Sequence, residues 1–499
     1  MSNLFRLVVR SFFDDAGHNL QTSGMIIKFT DGSQPTMLWA ALAVKVADES
    51  ALHQVWLNKG AGGIMLCLLC SNVVSDDSGL AMHDARHELV PSTCLEFGRF
   101  VLHTGASIRA LLARIAAFAE GATKTALEEF EKQVGFSHCP ESILMDPALS
   151  PYVDPCRITM YDWCHVFLVS GLFQLIVGLL MRLLHPQITY SDLNEFIRAW
   201  TLPKRYESSA DGMDVACAHR AHSAYKEGKF KCSASEALSV YPLIQKWITE
   251  AVKPAVLENP VRSAACDCYL QLCVVLGMLK ATQRKHHNVT PSGLHRAIVA
   301  CLRKFLVAFG AGAWIPKCHM ALHFGWFLQT FGFLISCFVH ERKHKVAKRY
   351  GNHMSSLRGF DKYVLREVFL TQRAALRKDS CFSIVQHLSR PTKKCMAALR
   401  EHFPHAIDLA VTAEACVGEG GKVSKGDVVA LEAGGVAQVW MHVVVDRQVV
   451  SCIARWRRVN DTTYIVRSEP EFIATSSIRE ALVYSRTGDR AVIIPPLAL

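Results

Sequence analysis

Three carboxylates stand where chemistry could use them. Asp48 and Asp162 each close a stretch that reads as a β-strand, "LAVKVAD" and "RITMYD". Glu341 follows a long apolar run and is followed at once by Arg342, Lys343, Lys345, Lys348 and Arg349. Carboxylates from separate elements that converge can hold two divalent ions, which activate a water or a 3′-hydroxyl and steady the leaving oxygen in phosphoryl transfer. Mg²⁺ or Mn²⁺ suits such a site, because a hard ion takes a few carboxylates together with phosphate oxygens. Solvated acids at strand ends are also common, so these three need a context. His165, three residues after Asp162 in "DWCH", shares its face at a helix start.

A second group suits a softer metal. Cys67 and Cys70 in "CLLC" have the spacing of a zinc half-site. Candidate partners downstream are His83, His87, Cys94 and His103, of which His87 and Cys94 are taken to complete a structural Zn²⁺ site with the cysteines. His319 and His323 in "CHMALH" are four apart, a spacing that also suits a metal pair. The five-residue signature lacks an acid, which favours packing or capping for that pair.

The elements that must position these residues follow from the hydrophobic pattern. Residues 1–63 read as a helix and a hairpin, with Asp31-Gly32 as its turn and a second strand running to Asp48. Residues 64–135 hold the Cys-x-x-Cys knuckle and a helix near 108–132, and 136–189 a strand and a buried helix. Residues 190–310 read as all-helical. Residues 311–404 carry a second apolar helix that continues through Glu341 into the basic run. From 405 to 499 alternating apolar residues and glycine turns read as a β-barrel-like module.

The apolar stretches 166–181 and 320–339 approach the length of a membrane span. Both carry polar residues, which favours burial in a core over a membrane protein. The 499 residues carry 18 cysteines and a net charge of +11. No signal peptide is read at the N-terminus, so a reducing compartment is expected. The charge suits a polyanionic partner.

In order along the chain, "ADESALHQVWLNKGAGGIMLCLLC", "MYDWCHVFLVSGLFQLIVGLL", "PKCHMALHF" and "CFVHERKHKVAKRY" resemble segments of CACTA-type (En/Spm-like) DDE transposases. The resemblance covers about residues 45–350. It implies an α/β fold, mostly α by content: an RNase H-like core with a large all-α insertion. It further implies a nuclear protein that acts on double-stranded DNA, compatible with a homo-oligomer, with metal-dependent cleavage and strand transfer as the ancestral reaction. Asp48, Asp162, His165 and Glu341 then fall on the family's catalytic motifs. Two alignments stay open. In one, Asp48 is the second acid and Asp162-x-x-His165 an auxiliary motif; in the other, Asp48 and Asp162 are the first two acids. The first leaves the leading acid missing, as in a truncated or domesticated copy with impaired cleavage. A DNA- or chromatin-binding protein without catalysis is the alternative.

Overall fold

The computed structural model describes the chain except for residue 1 and residues 15–18, 29–33, 87, 205–229, 284–286, 338–359, 377–387, 418–420, 447 and 496–499. The fold is mixed α/β, with 47% helix and 20% strand. It divides into two compact units, residues 1–172 with 289–337, and residues 173–288 with 338–499.

The first unit opens with an amphipathic helix, α1 (Ser2–Arg10), anchored by its buried face. Phe5 meets the ring of Trp56 edge-on at 6.0 Å, and Arg10 pairs with the buried Asp146 at 2.8 Å. The hairpin β1 (Met25–Ile27) and β2 (Thr36–Leu38) follows, but its second strand does not run on to Asp48. Residues 39–44 are irregular, and a separate strand, β3 (Lys45–Ala47), pairs in parallel with β4 (Thr159–Tyr161). A parallel pair needs a long crossover. Here it is the whole stretch between Asp48 and Ile158, including α2 (Glu49–Trp56) and α3 (Gly105–Ala119). The helix expected near 108–132 is two helices, α3 and Lys124–Val134, separated at Gly121.

After β4 the chain enters α4 (Trp163–Phe167), and the unit resumes with α5 (Pro291–Phe309), α6 (Pro316–Ala321) and α7 (Phe324–Phe331). The apolar stretch 320–339 is therefore not one helix. It is broken between α6 and α7, and Gly332, at φ +76°, ends α7 in the left-handed conformation that glycine adopts without strain. The stretch Trp163–Leu184 is apolar enough to cross a membrane by length and composition, as is Pro260–Ala281. The first is interrupted at Ser170, whose φ is +48°, and 83% of its apolar window is buried in the protein. Its longest continuous helix, Leu172–Leu184, has 13 residues. At 1.5 Å per residue that is about 20 Å, well short of a bilayer core of about 30 Å.

The second unit pairs helices with the C-terminal strands. Thr189 and Ser233 close capping boxes at the helices Tyr190–Arg198 and Ala234–Trp247, and Asn259 caps Pro260–Ala281. The strands β5 (Leu409–Thr412), β6 (Val428–Leu431), β7 (Val436–Val445), β8 (Gln448–Arg455), β9 (Pro470–Ala474) and β10 (Ile478–Leu482) form one antiparallel sheet in the order β9-β8-β7-β6-β10, with β5 also on β7. Its edge strands β9 and β10 are joined by the short turn Thr475–Ser477, which forces the sheet to curl towards a barrel. Val429, Val439, Ile453 and Ile478 fill its interior.

That interior also holds a buried polar chain. Thr475 donates to Ser451 (2.8 Å), Ser451 to Nδ1 of His442 (2.9 Å), and Nε2–H of His442 to the Val423 carbonyl (3.1 Å). The carbonyl can only accept, so Nε2 carries a proton; burial pushes the pKa down to about 4, so at neutral pH the imidazole is neutral and Nδ1 accepts from Ser451. A base depressed in the folded state contributes stability that is full above its unfolded value of about 6.5 and is lost as the pH falls through about 4. His442→Gln should remove about 3 kcal/mol of the acid sensitivity of unfolding between pH 6.5 and 4, measured by urea titration; an unchanged pH profile would contradict the assignment.

Candidate functional site: a Cys/His group beside paired strand ends

Four buried side chains converge in the first unit. Cys67 and Cys70 lie in the segment after α2, His319 on α6, and His323 at the start of α7. Nε2 of His323 is 3.5 Å from Sγ of Cys67, 3.6 Å from Sγ of Cys70 and 3.3 Å from Nε2 of His319, and all four atoms lie within 4.8 Å of one another. The group is able to hold a metal ion. His319 lies near the end of α6 and His323 is the N-cap residue of α7, so the tight turn between the two helices brings both imidazoles against the cysteines.

The surroundings suit bound thiolates. The Leu69 amide and the Tyr161 hydroxyl both reach Sγ of Cys67, at 3.4 and 3.5 Å. Around them stand Phe97, Phe100 and Phe327, which contact the two imidazoles and exclude water. Burial alone would raise the Cys67 thiol. The hydrogen bond from Cys70 and the charges of His323 and His319 outweigh it and hold Cys67 well below the ordinary range. Burial, then the neighbouring Cys67, pushes Cys70 well above it. Burial lowers His323, with the neighbouring Cys67 opposing.

The expected partners of the cysteines are not those found. His87 lies outside the described residues. Cys94 sits half-buried in the turn after Val90–Pro91, away from the Cys/His group, and His83 is exposed. His103 places Nδ1 3.0 Å from the Ser107 hydroxyl at the start of α3.

The acids occupy a second place in the same unit. Ala47 and Tyr161 are register partners in the β3–β4 pair, so Asp48 and Asp162 follow directly from two adjacent parallel strand ends. Each caps the helix that follows. Asp48 accepts from the Ala51 amide at 2.6 Å, and Asp162 from the Cys164 amide at 3.1 Å. Beyond that they differ. Asp48 is half-buried. Asp162 is buried, and its Oδ1 also accepts from the Cys337 amide at 3.1 Å while its Oδ2 binds Nδ1 of His165. Asp162 and His165 thus form an oriented dyad that pins the chain at Cys337.

Lys317 is a participant the sequence reading missed. Its ammonium donates to the carbonyls of His165 (3.0 Å) and Val169 (2.9 Å), locking α4 to α6. Burial lowers its pKa, and the charges of Glu49, Asp48 and Asp162 counteract this. Lys45 is lowered in the same way by burial, with Cys337 and Asp48 opposing. Glu341 and the cations Arg342, Lys343, Lys345, Lys348 and Arg349 lie outside the described residues.

Compared with protein-family models, curated proteins and solved structures, the chain matches none.

Asp162→Ala removes a helix cap and leaves the buried Cys337 amide without its acceptor. The expected loss is about 3 kcal/mol of unfolding free energy, whereas Asp162→Asn, which still accepts at Oδ1, should lose about 1 kcal/mol. Equal denaturant midpoints for the wild type and Asp162→Ala would show that the dyad positions nothing.

Proposed function

We propose that this chain is a transposase-derived nuclear protein that binds double-stranded DNA, built on an RNase H-like core stapled by zinc, with its ancestral metal-dependent DNA cleavage impaired. The observation that carries this reading is the parallel β3–β4 pair with an acid after each strand. Adjacent parallel strands ending in acids are what an RNase H-like core requires. The resemblance to CACTA-type transposases accounts for the order of Asp48, the Cys-x-x-Cys, Asp162-x-x-His165, the His319–His323 pair and Glu341 along the chain.

Zinc is the metal that fits the Cys/His group. A tetrahedron with Zn–N bonds of about 2.05 Å and Zn–S bonds of about 2.3 Å has N–N edges of about 3.3 Å and mixed edges of about 3.6 Å. The group presents 3.3 Å between its imidazole nitrogens and 3.5 and 3.6 Å from sulfur to nitrogen. Four protein ligands leave no open position, so the role is structural.

The dyad geometry supports impaired cleavage. Asp162 spends both oxygens on Cys164, Cys337 and His165, which favours the alignment that makes it an auxiliary residue. Asp48 is then the family's second acid, with a carboxylate oxygen beyond its cap, and Glu341, four residues beyond Cys337 in the chain, the last. Mg²⁺ or Mn²⁺ held there would supply charge neutralisation at a phosphate. Two carboxylates hold a pair of such ions poorly, because these ions dehydrate reluctantly. The basic run from Arg342 to Arg349 supplies contacts to phosphates that are independent of sequence and sensitive to salt.

Two outcomes test this. Chelation at neutral pH, or His323→Ala, should lower the melting temperature by about 10 °C or more and free both cysteines for alkylation; a protein indifferent to chelators and to this substitution has no such staple. The protein should also retain duplex DNA at low salt without nicking supercoiled plasmid in Mg²⁺ or Mn²⁺. Charge reversal at Lys345, Lys348 and Arg349 should flatten the salt dependence by about one unit of slope per lost contact. Robust Mn²⁺-dependent nicking abolished by Glu341→Gln would refute the impairment, and salt-independent retention would refute the DNA contact.

A further inference from the structure

A cavity of about 370 Å³ in the first unit is walled by the same segments that carry the Cys/His group. Leu69, between the two cysteines, forms one wall. Trp326, three residues past His323 with its ring 6.5 Å from that imidazole, forms another together with Phe331. The polar lining is His103, Thr104, Asp154, Arg157 and Thr330. Apolar and aromatic faces with a few convergent polar groups are the make-up of a small-molecule site.

Asp154 is fixed by its cap, which uses Oδ1 and leaves Oδ2 without a hydrogen bond among the described residues. Asp154 caps the helical turn Pro155–Ile158, its Oδ1 accepting from the Cys156 amide at 2.9 Å and the Arg157 amide at 3.3 Å. The carboxylate is also pressed against Gly105, the first residue of α3, where a Cβ would come within 2.8 Å of Asp154 Cγ. Arg157 lies three residues away on the same turn, yet the two side chains make no ion pair among the described residues. A half-buried carboxylate and an exposed guanidinium therefore both line the cavity together with Trp326 and Phe331.

We propose that this cavity is a guanine-binding site, taking a base held outside the duplex stack. Oδ2 of Asp154, the oxygen that the cap leaves, accepts from the adjacent N–H groups that guanine presents at N1 and N2. The guanidinium donates to the O6 beside them, and Trp326 and Phe331 offer stacking faces. Adenine presents an acceptor at N1 and would leave the carboxylate facing a lone pair. That is a mismatch of the kind that gives strong rejection. The identity of the ligand as part of a nucleic acid rests on the DNA-binding reading above, whereas the pocket's chemistry does not.

Calorimetric titration of the full-length, metal-loaded protein with GMP, AMP and CMP tests this. GMP should bind at least tenfold more tightly than AMP or CMP. Asp154→Asn, which keeps the cap because asparagine caps as well as aspartate, should weaken GMP at least tenfold without moving the melting temperature. Arg157→Gln should weaken it about threefold or more. No saturable binding of GMP, equal affinity for the three nucleotides, or an unchanged affinity in Asp154→Asn would overturn the site. Selective GMP binding by a protein that fails to retain duplex DNA would leave this site standing and remove the reading of function; retained duplex with no GMP binding would do the reverse.

Discussion

The convergence of Cys67 and Cys70 with His319 and His323 is the constraint on which the first unit depends. The two pairs come from opposite ends of the unit's sequence, so the contact closes a loop whose entropy local packing would have to meet alone. Without a common ion the group is costly to bury: one thiol is held low, its neighbour high, and two imidazoles are kept from water. A shared metal ion would turn that cost into the staple that sets α6 and α7 on the knuckle.

Much else follows from where α6 and α7 are set. Lys317 begins α6, and its bonds to the carbonyls at the end of α4 fix the helix that Asp162 caps. Asp162 in turn receives the amide of Cys337, just past the end of α7. The paired strand ends, the dyad and the segment leading to the basic run are thereby linked through hydrogen bonds that start beside the Cys/His group. Trp326 and Phe331, carried on α7, wall the cavity for the same reason.

How much of this the sequence shows depends on whether the signal is local. The Asp162–His165 spacing and the alternating β-pattern after residue 405 are local, and both are visible in the sequence. The histidine pair is also visible, but nothing in its own neighbourhood says what it faces. Just downstream of Cys70 the sequence offers His87 and Cys94, and a knuckle is expected to close within its own segment. Pairing between remote segments is set by topology, which one sequence does not print. The run 320–339 misled for another reason. Average hydropathy is blind to the break near His323 and to the turn at Gly332, so two short helices read as one long one. Strand β3 has three residues, too few for a period of two to separate it from the hairpin before it.

X-ray absorption at the zinc edge of the purified full-length protein tests the central claim most directly. The account predicts one ion per chain in a four-coordinate shell of two sulfur atoms at about 2.3 Å and two imidazole nitrogens at about 2.0 Å, with the imidazole signal lost in His319→Ala and His323→Ala. A shell of four sulfurs, a shell of oxygens, or a spectrum unchanged by both histidine substitutions would contradict it.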